Sequence, residues 1–143
     1  MKVADVMNKG VQTTGPDGLV HDAAQKMNKY SIGSLVVVSG GKLAGIITER
    51  DILKRLASTD GDMRKTKVNE VMTKNVVMIE PDADLEEAID AMNEYKIKKL
   101  PVVSQGKLIG IITASDVCTA QPKMIAALAD LMAVPGKQKP MAG

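Results

Sequence analysis

Two Thr-x-x-Asp tetrads, Thr48-Glu49-Arg50-Asp51 and Thr113-Ala114-Ser115-Asp116, each follow an apolar Gly-Ile-Ile run. Where a strand gives way to a helix, such a threonine caps the helix with its hydroxyl, and the free amides of the first turn make a place for a phosphate. The aspartate three residues on can accept both hydroxyls of a vicinal diol such as a ribose, because its acceptor sites lie on two oxygens. The same spacing also serves a purely structural end, with threonine as cap and aspartate as a favourable charge at the positive end of the helix dipole. On the tetrads alone both readings stand.

The tetrads belong to a longer duplication. Residues 3 to 56 align with residues 68 to 121 at a constant offset of 65 without a gap, and 24 of the 54 aligned positions are identical. The matches include Val6-Met7 with Val71-Met72, Pro16-Asp17 with Pro81-Asp82, Met27-Asn28 with Met92-Asn93, and Gly45-Ile46-Ile47-Thr48 with Gly110-Ile111-Ile112-Thr113. The chain divides accordingly into copy one (1–56), a polar linker (57–67), copy two (68–121) and a tail (122–143).

Each copy reads as strand, helix, strand, strand, helix. Val20, Ala23, Ala24 and Met27, like Leu85, Ala88, Ile89 and Met92, recur at helical spacing and predict one buried face. Asp84 with Glu87 has the pattern of a capping box, whereas copy one has Leu19 and Asp22 there, which predicts a first helix more prone to fray. Leu35–Val38 and Leu43–Thr48, around Ser39-Gly40-Gly41-Lys42, predict a hairpin, repeated at Leu100–Val103 and Leu108–Thr113. Val11–Thr14 and Val76–Ile79 read as short strands joined in parallel to the hairpins through the helices, and Pro101 is expected to open its strand. In the tail, Met124, Ile125, Leu128, Leu131 and Met132 predict a short helix that Pro135-Gly136 stops, with a flexible end over 137–143.

Composition removes several functions. The 143 residues are 45% hydrophobic and 25% charged, as in a globular protein, and no apolar run approaches the length of a membrane span. A net charge of +2, evenly scattered, and aromatics limited to Tyr30 and Tyr95 argue against nucleic-acid binding. His21, the one histidine, falls in the first turn of a helix without a partner histidine or cysteine, so no metal site is expected. Cys118 lies on an apolar helix face and reads as packing; a lone thiol suits the cytoplasm. Gly40-Gly41-Lys42 lacks the rest of a phosphate-loop pattern, and no acid–base or nucleophile constellation is present, so the chain reads as no enzyme.

The features that recur in order are the Val-Met pair, Pro-Asp before the helix, Leu100-Pro101-Val102-Val103, Gly45-Ile46-Ile47-Thr48-Glu49-Arg50-Asp51 and Gly110-Ile111-Ile112-Thr113-Ala114-Ser115-Asp116. Together they resemble a tandem pair of CBS domains, the arrangement called a Bateman module. The resemblance implies an α/β (α+β) fold of two β-α-β-β-α repeats with pseudo-twofold symmetry. It also implies clefts that hold an adenosine-containing regulatory ligand (AMP, ADP, ATP or S-adenosylmethionine), with no catalytic cofactor. It moves Thr48, Asp51, Thr113 and Asp116 toward the ligand role, and it implies phosphate contacts at Lys98, Lys99 and Arg50, with Ser115 at the position aligned with Arg50. It further implies adenine contacts along Val11, Thr13, Val76 and Met78. Family pairs commonly associate as homodimers through their helices, here with Ile52, Leu53, Leu56, Val117 and Cys118 on the faces, and report to a protein target. A structural or nucleic-acid-binding adaptor with vacant clefts is the competing expectation. Because Lys98-Lys99 aligns with Gly33-Ser34 and Arg50 with Ser115, the two sites are expected to differ, and Arg50 favours the first for phosphorylated ligands.

Overall fold

Five strands and six α-helices form among the described residues, 1–58 and 61–133, of the computed structural model. The α/β class follows the sequence. The expected helix stop at Pro135-Gly136 and flexible end over 137–143 lie outside the described residues. In chain order the elements are α1 (Val3–Val6), β1 (Thr13–Thr14), α2 (Val20–Tyr30), β2 (Ser34–Ser39), β3 (Lys42–Thr48), α3 (Glu49–Ser58), α4 (Leu85–Tyr95), β4 (Lys99–Ser104), β5 (Lys107–Thr113), α5 (Ala114–Ala120) and α6 (Ala129–Met132).

Two compact units cut across the sequence copies. The first unit holds Gly10–Val76 and Gln105–Leu108; the second holds Met1–Lys9, Val77–Ser104 and the chain from Ile109 onward. The opening Val-Met segment of each copy is thus packed into the unit built on the other copy's helices.

In the first unit β1 runs parallel to β2, with Thr13 opposite Val36, and β2 pairs antiparallel with β3. That is the parallel crossover expected of a strand, helix, strand order. Gly40 and Gly41 turn the hairpin at φ 58° and 81°, values that cost glycine nothing. The strand expected over Val11–Thr14 is only two residues long. The strand expected over Val76–Ile79 does not form; a parallel bridge from Ile79 to Val102 is its remnant, with Ile79 N–H donating to the Pro101 carbonyl at 3.0 Å. Pro101 is the third residue of β4, not the first.

The helix faces are buried as their spacing requires. Val20, Ala23, Met27, Leu35, Val37, Ile47, Ile52 and Val68 form the core of the first unit. Leu85, Ala88, Ile89, Met92, Leu100, Val102, Ile112, Val117 and Leu128 dominate that of the second. The helix starts depart from expectation. Asp84 does not cap α4 with its side chain; its carboxylate pairs with Lys2 Nζ at 2.9 Å instead. In copy one the linker supplies what Leu19 cannot: the Val20 and His21 amides donate to the Thr66 and Met63 carbonyls at 2.8 and 3.0 Å. Those bonds satisfy first-turn donors that would otherwise favour fraying.

Candidate functional site

The tetrads adopt the same local structure twice. Thr48 N–H donates to Asp51 Oδ2 and Asp51 N–H to the Thr48 hydroxyl, both at 3.0 Å. Thr113 and Asp116 repeat the exchange at 3.1 Å in both directions. This reciprocal box satisfies two donors at each helix start. It also fixes the carboxylates, half-buried, at the ends of β3 and β5.

Each carboxylate meets a polar residue that the tetrad reading missed. In the first unit the Thr73 hydroxyl donates to Asp51 Oδ1 at 3.3 Å. In the second, Asn8 Nδ2 donates to Asp116 Oδ2 at 3.0 Å. Positions 8 and 73 are aligned in the duplication, and that alignment was the one signal that pointed to them. Asp116 Oδ1 takes no hydrogen bond among the described residues and stays open to a ligand donor, whereas Asp51 Oδ1 has a hydroxyl that must turn aside.

Backbone contacts hold these residues in place. Asn8 and Ile111 exchange two backbone hydrogen bonds of 2.8 and 2.9 Å, and Thr73 and Ile46 do the same at 2.8 and 2.9 Å. Such close passage needs glycine next door. A Cβ on Gly45 would lie 2.7 Å from the Thr73 carbonyl oxygen and 2.9 Å from Met72 Sδ; one on Gly110 would lie 2.7 Å from Met7 Sδ and 2.9 Å from the Asn8 carbonyl oxygen. The repeated glycine and Val-Met pair are therefore two halves of one contact.

The remaining expected residues fall into separate groups. In the second unit Lys98, Lys99, Thr113 and Ser115 line one cavity of about 250 Å³, together with Ala114 and Met132. At the aligned place in the first unit the Glu49 carboxylate lies over Gly33, 3.5 Å from where a Cβ would stand. Arg50 is exposed. Val11 and Thr13 are half-buried, and the Thr13 carbonyl accepts from Lys26 Nζ at 2.6 Å. Val77 and Ile79 pack on the core while Val76 is half-buried and Met78 exposed, an alternation that leaves 76 and 78 outside the core. Among the helix-face residues Leu53 and Leu56 are exposed, whereas Ile52 and Val117 are buried and are no surface residues. No group of three or more His, Cys, Asp or Glu residues able to hold a metal occurs among the described residues, and no described helix is long and apolar enough to cross a membrane.

A repeated α/β unit with a Thr-x-x-Asp box at the end of each long strand is the construction of a CBS domain. The sequence pattern of the CBS domain matches residues 3–58 and 68–123, and the chain belongs to that family. It is 35% identical over 119 residues to the CBS domain-containing protein YhcV of Bacillus subtilis, an alignment covering 83% of this chain and 84% of that one. Among solved structures it is similar to the CBS domain pair of protein MJ0100 in complex with 5'-methylthioadenosine and S-adenosyl-L-methionine. The TM-score is 0.73 at 31% identity, covering 85% of this chain and 97% of that one. Hypoxic Response Protein I, solved with two coordinated zinc ions, superposes with a TM-score of 0.78 at 28% identity, covering 85% of this chain and all of that one, 100%.

Proposed function

We propose that this chain is a non-catalytic regulatory module that binds an adenosine-containing ligand, AMP, ADP, ATP or S-adenosylmethionine, and passes its occupancy to a partner protein. The observation that carries the reading is the twice-built Thr-x-x-Asp box, which in the second unit adjoins a cavity with two lysines and two hydroxyls. Asp51 and Asp116 take the ribose hydroxyls. Thr48 and Arg50 at one site, and Thr113, Ser115, Lys98 and Lys99 at the other, face the anionic end. Val11 and Thr13, and Val76 and Met78, flank the base. The adenosyl ligands of the MJ0100 pair support this class of ligand.

The module acts in the cytoplasm as a homodimer, with Leu53 and Leu56 of α3 as the apolar surface left for contact. Calorimetric titration of the purified chain with AMP, ADP, ATP and S-adenosylmethionine tests the ligand. Reversible binding with the ligand recovered unchanged supports the reading; no heat from any of the four at millimolar concentration refutes it. Light scattering tests the dimer, which a 15.2 kDa species at micromolar concentration would exclude.

A further inference from the structure

Of the six residues around the second unit's cavity, five come from the β4 entrance and the β5–α5 junction; the sixth, Met132, comes from the tail. The tail folds as two 3₁₀ turns, Pro122–Met124 and Ala126–Leu128, followed by α6. Leu128 is wholly buried in the core, Met124, Leu131 and Met132 pack around that core, and Asn93 Nδ2 donates to the Ala127 carbonyl at 2.9 Å. The first unit has the matching bed without a cover. Met27, Asn28, Glu49, Ile52 and Leu53, each 65 positions before Met92, Asn93, Ala114, Val117 and Cys118, line an open groove of about 290 Å³, and Leu53 is 67% exposed. The tail is one of the features that make the two units unlike.

A space of about 250 Å³ is smaller than the roughly 300–1,000 Å³ that whole small-molecule ligands occupy, so it suits one anionic group of a ligand. Lys98, Lys99, Thr113 and Ser115 bring ammonium and hydroxyl donors to the largely apolar lining. Met132, from the tail, adds an apolar piece of its wall. Such a wall displaces water, and attraction between ammonium and anion strengthens as the local dielectric falls. When the tail is off, that wall is missing. Anion binding and tail docking share Met132 and are therefore linked, each favouring the other by the same factor.

We propose that residues 122–132 are a ligand-fastened flap: Met132 is a residue of the anion subsite, and filling that subsite ties the tail to the second unit. The order of the tail is then the form in which occupancy becomes visible to a partner. This rests on the adenosyl-ligand reading above, and the experiment separates the two. Amide hydrogen exchange of the full chain is followed by mass spectrometry with ATP as probe and tripolyphosphate in parallel. Exchange across 123–133 slows several-fold with either probe, and the slowing disappears in Lys98→Ala/Lys99→Ala. Met132→Ala, which keeps the Leu128 anchor, binds ATP several-fold more weakly and also loses the slowing. ATP that binds by calorimetry while tail exchange is unchanged or faster overturns the flap and leaves the ligand reading intact. Slowing by tripolyphosphate with no binding of any adenosyl compound upholds the flap and removes the ligand reading. Binding by neither probe overturns both.

Discussion

The two units share a backbone and differ at what a ligand would touch. The glycine (Gly45, Gly110) and the Thr-Asp box are the same in each and the helix faces are apolar in both, because a change at the glycine disturbs a contact of under 3 Å and a polar residue on the faces would enter a buried core. Around that frame the first unit has Thr73, Glu49 over Gly33, exposed Arg50 and an open groove; the second has Asn8, Lys98, Lys99 and a docked tail. Duplication followed by divergence has kept the geometry and separated the chemistry. Under the proposed function, the carboxylate of Glu49 at the place of the lysines is expected to disfavour an anionic ligand end at the first site, opposing the preference expected from Arg50.

The largest test of that contrast is Leu128→Ala. It removes a fully buried side chain from the second unit only, and a cavity left by such a change costs about 2–4 kcal/mol of stability. Urea unfolding measures it; a loss below about 1 kcal/mol would mean that the tail is no part of that unit's core.

Next comes the ribose carboxylate. Asp116→Ala is expected to weaken binding of the adenosyl ligand by roughly 2–3 kcal/mol, the worth of a charge-assisted pair of hydrogen bonds. Asp51→Ala is expected to cost less, because Thr73 already leans on its Oδ1. Calorimetry on both variants sharpens the comparison: equal losses would make the two sites equivalent, and no loss in either would reduce the aspartates to helix caps.

Gly45→Ala and Gly110→Ala probe the shared frame. Overpacking of this kind costs about 1–3 kcal/mol. Gly45→Ala is expected to cost more, since its nearest obstacle is a backbone carbonyl, while the nearest to Gly110 is the sulfur of Met7, which can shift. Thermal or urea unfolding that finds both neutral would contradict the close passage of the Val-Met segments.

The frame was legible in the sequence for the same reason that it is shared. Helix faces such as Val20, Ala23 and Met27 follow from periodicity, and the hairpins from Gly41 and Gly106 between apolar runs. The Thr-Asp pairs were readable because capping is local in sequence. Asn8 and Thr73 were not, because each reaches its carboxylate from the opening segment of the other sequence copy, more than twenty residues away along the chain, and Met132 was not, because it comes to the cavity from the tail, outside the duplication. Asp84 was misread for a related reason: a long-range lysine outcompeted the local cap.

Both first helices end alike, and unlike the sites they are predicted to respond alike. Ser31 and Lys96, aligned and directly after Tyr30 and Tyr95, sit in the left-handed region at φ 53° and 56°. A side chain there costs roughly 1 kcal/mol that glycine avoids. Ser31→Gly and Lys96→Gly are each expected to raise stability by up to about 1 kcal/mol in urea unfolding, and a destabilised variant would show that the side chain has a use its backbone conceals.

The smallest effect is expected where one backbone bridge carries different side chains. Lys2 bridges Asp84 and, 65 positions on and back, Lys67 bridges Leu19. In the second unit the Lys2 ammonium, by hydrogen bond and then by charge, holds the Asp84 carboxyl below its usual range, and Asp84 raises Lys2 in turn. A lowered carboxyl contributes stability that is complete above its unfolded pKa and is lost as pH falls through the folded value. A raised lysine contributes stability that is complete below its unfolded pKa and is lost as pH rises through the folded one. The pair therefore stabilises between the carboxylate range and the lysine range, weakly, because both groups are exposed and screened by salt. Urea midpoints measured across pH at low salt should show a small acid-side loss in the parent that Asp84→Asn reduces, and high salt should remove the difference. Leu19→Asp should introduce the same salt-sensitive increment in the first unit if the bridge geometry alone sets it; an increment unchanged by salt would mean that packing, not charge, distinguishes the two bridges.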